Sequence, residues 1–322
     1  MANAREWIAG ARPRTLPIII APVVAGAAVA WFGAPDTKQV ALRASALFAF
    51  VLCLLVGVGI QIGCNLANDY SDGVRGTDAR RVGPMRLVGS GAAKPAAVKR
   101  AAWGSFAVSC VIGLVLVQWT TSMFSPATWR DPHRLVAPVV LIVVGAACVL
   151  AAWYYTGGRR PYGYAGLGEV FVFVFFGLVA VVATVYVLSP AGVPWLAAVI
   201  TGVTMGCLAM AVLVANNLRD IPTDEQHGKI TLPVRLGARR TRLFYAALVA
   251  VAGVGILALA ATTSWLAMAG LIGIAWLGVP VRRVLAGADG PDLIPVLHIT
   301  SLAELATAAL VAAGLGIGWL YG

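Results

Sequence analysis

The sequence predicts an all-α protein: a polytopic membrane bundle of nine transmembrane helices, one domain over residues 1–322, N-terminus cytoplasmic and C-terminus outside. Three observations lead there. Of 322 residues 60% are hydrophobic and only 11% charged, with a mean hydropathy of +0.87; a soluble domain is nearer one quarter charged. The apolar residues fall into nine runs of membrane-spanning length. The basic residues gather on alternate connections, as the positive-inside rule requires.

In chain order the runs are 16–33, 44–66, 99–119, 135–156, 165–188, 193–215, 243–262, 264–281 and 299–320. The first follows a short basic start without a small-residue cleavage site, so the expectation is a retained span and no removable signal peptide. The seventh and eighth meet at Thr262-Thr-Ser-Trp265, which makes theirs the narrowest boundary. With the N-terminus inside, 20 of the 24 Lys and Arg lie on cytoplasmic segments, and only Lys38, Arg43, Arg130 and Arg134 lie outside. The net charge of +11 therefore reads first as a topology signal, and no nucleic-acid partner is expected. No polar stretch is long enough for a separate soluble domain. Cys53, Cys64, Cys110, Cys148 and Cys207 stand singly, with neither C-x-x-C spacing nor a nearby His, and read as packing residues. His133, His227 and His298 likewise lack partners at ligand spacing.

Two polar clusters break the apolar pattern. Asn65, Asn68, Asp69 and Asp72 follow the second run, and Asn216, Asn217, Asp220 and Asp224 follow the sixth. Aligned without gaps, Asn68-Asp69-x-x-Asp72 lies over Asn216-Asn217-x-x-Asp220. Amides and carboxylates are expensive near hydrocarbon, so a duplicated pair suggests a common ligand. An even number of spans separates the clusters, which places both on the cytoplasmic side, in motif segments of about 67–98 and 216–242. Positions 65, 68, 69 and 72 form one helical stripe, with Gln61 a turn deeper, and 216, 220 and 224 form another. Pro222 is expected to kink or end the second helix and leave Asp224 in a loop.

Oxygen-only donors favour a hard cation such as Mg2+. Basic, glycine-containing segments adjoin both clusters: Arg75, Arg80, Arg81 and Arg86 by the first, Arg219 and Lys229 by the second. Metal-binding acids beside such segments suit diphosphate chemistry, with the cations stabilising charge on a leaving group. Topology and lipid headgroups remain an alternative use for each Arg. Neither a Walker A loop nor a G-x-G-x-x-G fingerprint is present. Between runs four and five lie Tyr154, Tyr155 and Tyr162, leading into Glu169 and a Phe-rich segment. These tyrosines read either as an interfacial belt or as an aromatic wall able to stabilise a transient carbocation.

At these residues the chain resembles the UbiA-type intramembrane prenyltransferase superfamily, whose members carry an N-D-x-x-D motif and a second Asp-rich motif on nine helices. Its first motif usually has an acid four residues after the second Asp; here that position is Gly76 and the next acid is Asp78. That variation, with Arg81-Val-Gly-Pro84, Tyr155-Thr-Gly-Gly158, Pro161-Tyr-Gly-Tyr-x-Gly-Leu-Gly-Glu169 and Asn216-Asn-x-Arg219-Asp220, resembles the 1,4-dihydroxy-2-naphthoate polyprenyltransferase branch. The resemblance implies a menaquinone-pathway enzyme of the bacterial plasma membrane, its site facing the cytoplasm. Such an enzyme transfers a polyprenyl group from its diphosphate to the naphthoate, with membrane lipid around the tail. Carried over, the Mg2+ ligands and catalytic acids would be Asn68, Asp69, Asp72, Asp78, Asp220 and Asp224. Asn65, Asn216, Asn217, the three tyrosines and Glu169 would orient ligands or line the pocket. Within the superfamily an enzyme with a different acceptor is the alternative, and from another class a cation-coupled transporter also carries duplicated polar motifs, though near the bilayer midplane.

Overall fold

The computed structural model of the protein describes residues 2–33, 40–76 and 85–321. Asp78, Arg80, Arg81 and Pro84 lie outside the described residues. The described chain is helical. Helix α1 (Ala4–Ala11) is closed at its start by an Asn3–Glu6 capping box, and Arg12 turns the chain into α2 (Pro17–Phe32). Then come α3 (Val40–Arg75), α4 (Pro95–Thr121), the short α5 (Pro126–Arg130) and α6 (Pro132–Tyr154). The fifth span is composite: α7 (Gly168–Val172), a π-helical stretch over Phe173–Val179, and α8 (Ala180–Leu188). After α9 (Trp195–Gln226), α10 (Leu232–Thr262) breaks at Gly237, which has φ of 72°. A 3-10 turn, α11 (Gly270–Trp276) and α12 (Gly278–Leu285) make the eighth span, and α13 (Leu293–Tyr321) the ninth.

Among the described residues eight spans are helices long and apolar enough to cross a membrane, and α1 with α2, bent by 50°, makes a ninth when the bent pair is taken as one span. The expected runs are thus met one for one, but both motif-bearing helices outlast their apolar stretches. Helix α3 stays helical through Asn68, Asp69 and Asp72 and stops at Gly76, whose φ of 76° is the left-handed closing residue of a helix. Gly76 is therefore the end of α3. Likewise α9 continues through Pro222 to Gln226 and keeps Asp224 helical, where a loop was expected. Proline removes one donor, and this one sits near the helix end. The Asp224 carbonyl closes that end by accepting from His227 and Lys229 N–H.

Helix α9 is the axis. In its apolar window 78% of residues are buried, against 11% for α6, which faces outward. It packs on α10, α13, α2 and the π-helical stretch, while α3, α4 and α6 pack on one another as a second group. Small residues allow the closest approach: Gly202 and Gly206, four apart on α9, lie against Gly177 of the π-helical stretch. A Cβ on Gly177 would stand 2.4 Å from Gly206 Cα and 2.5 Å from Gly202 O, both backbone atoms. A Cβ on Gly145 of α6 would have nothing within 4 Å. Gly177→Ala is accordingly expected to lower stability by about 1–3 kcal/mol, read as an earlier thermal melt in detergent, whereas Gly145→Ala should leave the melt unchanged or later.

Candidate active site

The two stripes meet at one end of the bundle. On α3, Asn68 accepts a 2.8 Å hydrogen bond from Thr156 Oγ1, and its amide lies 3.8 Å from Cys64 Sγ. Asp72, one turn on, accepts from Tyr164 OH at 2.8 Å and faces Arg86 at 3.8 Å. Asp69 does something else. It is fully buried, and its two oxygens accept the Leu87 and Val88 backbone N–H at 2.7 and 2.9 Å. Instead of facing the cavity described below, it pins the segment that carries Arg86 against α3. This differs from its expected place among the ligands. Positions 69 and 72 are three apart on the helix, and the strand of loop packed against α3 takes one of them.

On α9, Arg219 grips Asp220 with both ends of its fork, Nε to Oδ1 at 2.7 Å and Nη2 to Oδ2 at 2.8 Å. The same Nη2 reaches Asn216 Oδ1 at 2.9 Å. Asp224 sits 3.3 Å from Lys229 Nζ. Asn217 donates to Glu169 Oε1 at 2.8 Å, so buried Glu169 backs Asn217 from behind. The three acids Asp72, Asp220 and Asp224 thus each stand beside a base, as buried carboxylates must. Among the described residues no three Asp, Glu, His or Cys side chains are close enough to share a metal ion. The donor type is nonetheless that of a hard divalent cation: carboxylate and amide oxygens on facing helices.

Tyr164 joins the halves. Its hydroxyl holds Asp72, its carbonyl accepts the Ile230 N–H at 3.1 Å, and its ring lies under two cations, Arg75 at 5.2 Å and Lys229 at 5.6 Å. Arg75 also donates to the carbonyls of Thr156 and Gly158, which fastens the α6–α7 connection to the end of α3. From this polar end a cavity of about 520 Å³ runs between the α3–α4–α6 group and α2, α7–α8 and α9. Its wall reaches from Asp72 to Cys53 along α3, about 28 Å at the rise of an α-helix, and is largely apolar beyond the first turns. Tyr155, Tyr162, Phe171 and Phe175 line the side next to the polar end; Tyr162 stacks on Phe171 at 3.9 Å. Burial above all, then nearby Glu169, pushes the Tyr155 hydroxyl well above its ordinary pKa. Burial does the same to Tyr162, so both stay neutral.

The structure brings Asn65, Asn68, Asp72, Arg86, Asn216, Asn217, Lys229, Tyr155 and Tyr162 to one cavity. Tyr154, expected in the pocket, is 49% exposed and faces outward, because adjacent helical residues point about 100° apart and Tyr155 takes the inner direction. Arg75 and Arg219 serve a carbonyl pair and Asp220 respectively. Two residues were not singled out: Tyr164 and Thr156 act across long sequence separations that no spacing signals.

Comparison with known proteins agrees with this arrangement. Residues 134–302 match the model of the UbiA prenyltransferase family. A Mycobacterium tuberculosis protein, 1,4-dihydroxy-2-naphthoate octaprenyltransferase, is 48% identical over 99% of this chain and 100% of its own length. Its Escherichia coli counterpart of the same name is 34% identical over 98% and 96%. Among solved structures, a UbiA homolog from Archaeoglobus fulgidus superposes with a TM-score of 0.58 at 15% identity, covering 97% of this chain and 99% of its own. The same homolog bound to DMAPP and Mg2+ gives 0.53 at 16%, covering 95% and 98%. With its motifs on the fold these structures share and relatives of such identity over nearly the whole chain, the protein belongs to the UbiA prenyltransferase family.

Proposed function

We propose that the protein transfers a polyprenyl group from an allylic polyprenyl diphosphate to 1,4-dihydroxy-2-naphthoate, releasing CO2 and diphosphate and giving demethylmenaquinol, the hydroquinone that a separate two-electron oxidation turns into demethylmenaquinone. The observation that carries this reading is that residues of both motifs, Asn68 and Asp72 of the first and Asn216 and Asn217 of the second, line one long, largely apolar cavity together with Arg86 and Lys229. A diphosphate suits the mouth and an isoprenoid tail suits the interior. The names of the M. tuberculosis and E. coli relatives support the choice of acceptor. The bacterial relatives support a plasma-membrane setting, and the charge distribution supports a motif end in the cytoplasm. A transporter would want its polar site near the midplane, where this cavity is apolar.

Asn68 and Asp72, which line the cavity, would hold Mg2+, with Asp220, Asp224 and Asp78 as further candidates. Bound there, Mg2+ supplies Lewis-acid neutralisation of diphosphate oxygens. The chain's own residues do the rest. Arg86 and Lys229 pair with Asp72 and Asp224 in the structure. When those acids take up a cation, the two bases are placed to turn to phosphate oxygens. The same charges are then satisfied by new partners, at little reorganisation cost. As the allylic C–O bond breaks, its electron pair leaves with the diphosphate. The cationic carbon faces Tyr155, Tyr162, Phe171 and Phe175, neutral rings whose faces attract it. The electron-rich ring carbon of the acceptor supplies the new C–C bond. Loss of CO2 returns a bonding pair to the ring, so no strong base is required. Tyr164 keeps Asp72 oriented throughout.

Purified protein incubated with Mg2+, a labelled allylic diphosphate and a set of aromatic acids should release diphosphate only when dihydroxynaphthoate is added. Asp72→Asn and Asp220→Asn should each reduce that turnover by about 100-fold or more while melting near the wild-type temperature. Near-normal turnover in either would remove the metal assignment, and vesicle uptake without chemistry would favour the transporter. Tyr164→Phe deletes one hydrogen bond to a charged group, worth about 1.5–3 kcal/mol, so turnover should fall about tenfold or more. Arg75 and Lys229 keep the ring between them, so unchanged kinetics at limiting Mg2+ would show that the Asp72 contact is dispensable.

A further inference from the structure

In the second motif it is the amides, not the acids, that reach the cavity. Asn216 and Asn217 line its wall, whereas Asp220 and Asp224 stand off the wall and hold Arg219 and Lys229. The duplicated pattern is therefore used unequally, since the first motif puts Asp72 on the wall. What an amide offers a ligand depends on which way round it sits, and its neighbours decide that.

Here the neighbours form a series with one direction. Asp220 takes both ends of the Arg219 fork, and Arg219 Nη2 also reaches Asn216. A guanidinium has no acceptor, so the Asn216 atom 2.9 Å from it is the oxygen. The other end of Asn216, its NH2, donates to Asn217 Oδ1 at 3.4 Å. Asn217 Nδ2 donates in turn to Glu169 Oε1 at 2.8 Å, reaching 48 residues back along the chain to α7. A carboxylate only accepts, so the series starts on a cation, ends on an anion and cannot run backwards. Glu169 is 1% exposed, and its second oxygen, Oε2, is buried without a hydrogen-bond partner. An acid kept buried and half satisfied does not serve stability.

We propose that Glu169 is a positioning residue for the diphosphate, acting through Asn217 and Asn216. It ends a series in which both amide oxygens are turned inward and one N–H of each amide is left over at the cavity. This rests on the transferase reading above and deepens it. A diphosphate is all acceptor and gains negative charge as the allylic C–O bond breaks, so donors fixed in advance serve it. A metal ion is served badly there, because it would share Asn216 Oδ1 with the Arg219 guanidinium. The motifs thus divide the work. The first presents carboxylate oxygen to a cation, and the second presents hydrogens to the anion bound with it.

The test uses the full-length protein in detergent and three measurements. These are Mg2+-dependent binding of an unreactive allylic thiodiphosphate, prenyl transfer to dihydroxynaphthoate, and the thermal melt. Glu169→Gln keeps shape and volume but removes the anion that ends the series. Its melt should stay near wild type or rise, while thiodiphosphate affinity and kcat each fall about fivefold or more. The KM for dihydroxynaphthoate should stay within about twofold. Asn217→Asp sets two carboxylates together, so the melt should drop and the affinity fall about tenfold or more. In the double variant Glu169→Gln/Asn217→Asp the new amide donates to the new carboxylate, which still accepts from Asn216. The melt should then recover and the affinity should not, since the donor at position 217 is gone. A merely structural pairing would recover both, so a double variant with restored affinity overturns the proposal. Glu169→Gln with affinity and kcat within about twofold of wild type overturns it too, and that isosteric variant decides the matter if Asn217→Asp does not fold. The expected binding pattern in a protein that transfers no prenyl group to dihydroxynaphthoate would refute the reaction and leave Glu169 in this role.

Discussion

A carboxylate at the edge of hydrocarbon must find a partner, and at Asp72 that requirement organises the site. Stripped of water and left alone, the group would cost several kcal/mol. Here it has the Tyr164 hydroxyl at 2.8 Å and Arg86 at 3.8 Å. Both partners come from elsewhere in the chain. Tyr164 belongs to the α6–α7 connection and bonds through its carbonyl to Ile230, next to the second motif. Arg86 lies on a segment that Asp69 pins to α3. Satisfying one charge thus draws together the first motif, its basic segment and the second motif. The bundle supplies parallel walls, and the charge pairing decides which end of the cavity is polar.

The second motif follows the same rule with different residues. Arg219 satisfies Asp220 within α9, and Lys229 crosses to Asp224 from the turn after it. Acids and bases in matched pairs form a site that can exchange partners. That property suits a ligand which is itself a cation and a polyanion together.

Much of this is legible in the sequence. The nine runs are visible because backbone groups in lipid must be satisfied within each helix, so spans are long, apolar and countable. The motif stripe shows because its period is local. What stays hidden depends on contacts between distant residues or on backbone detail. Nothing local says that Asp69 will accept two N–H groups from Leu87 and Val88, or that Tyr164 will reach Asp72. Tyr154 and Tyr155 look interchangeable until the helix phase separates them. Pro222 reads as a helix end until the position of the last turn is known.

The central claim is that the two motifs make one site. The most direct test is Mg2+-dependent binding of an unreactive allylic thiodiphosphate to wild type, to Asp72→Asn, to Asp220→Asn and to the double variant. A single shared site predicts that each substitution alone weakens binding by about tenfold or more, and that the double variant is hardly weaker than either single one. Losses that simply multiply, or one substitution without effect, would mean that the motifs act apart and would contradict the account.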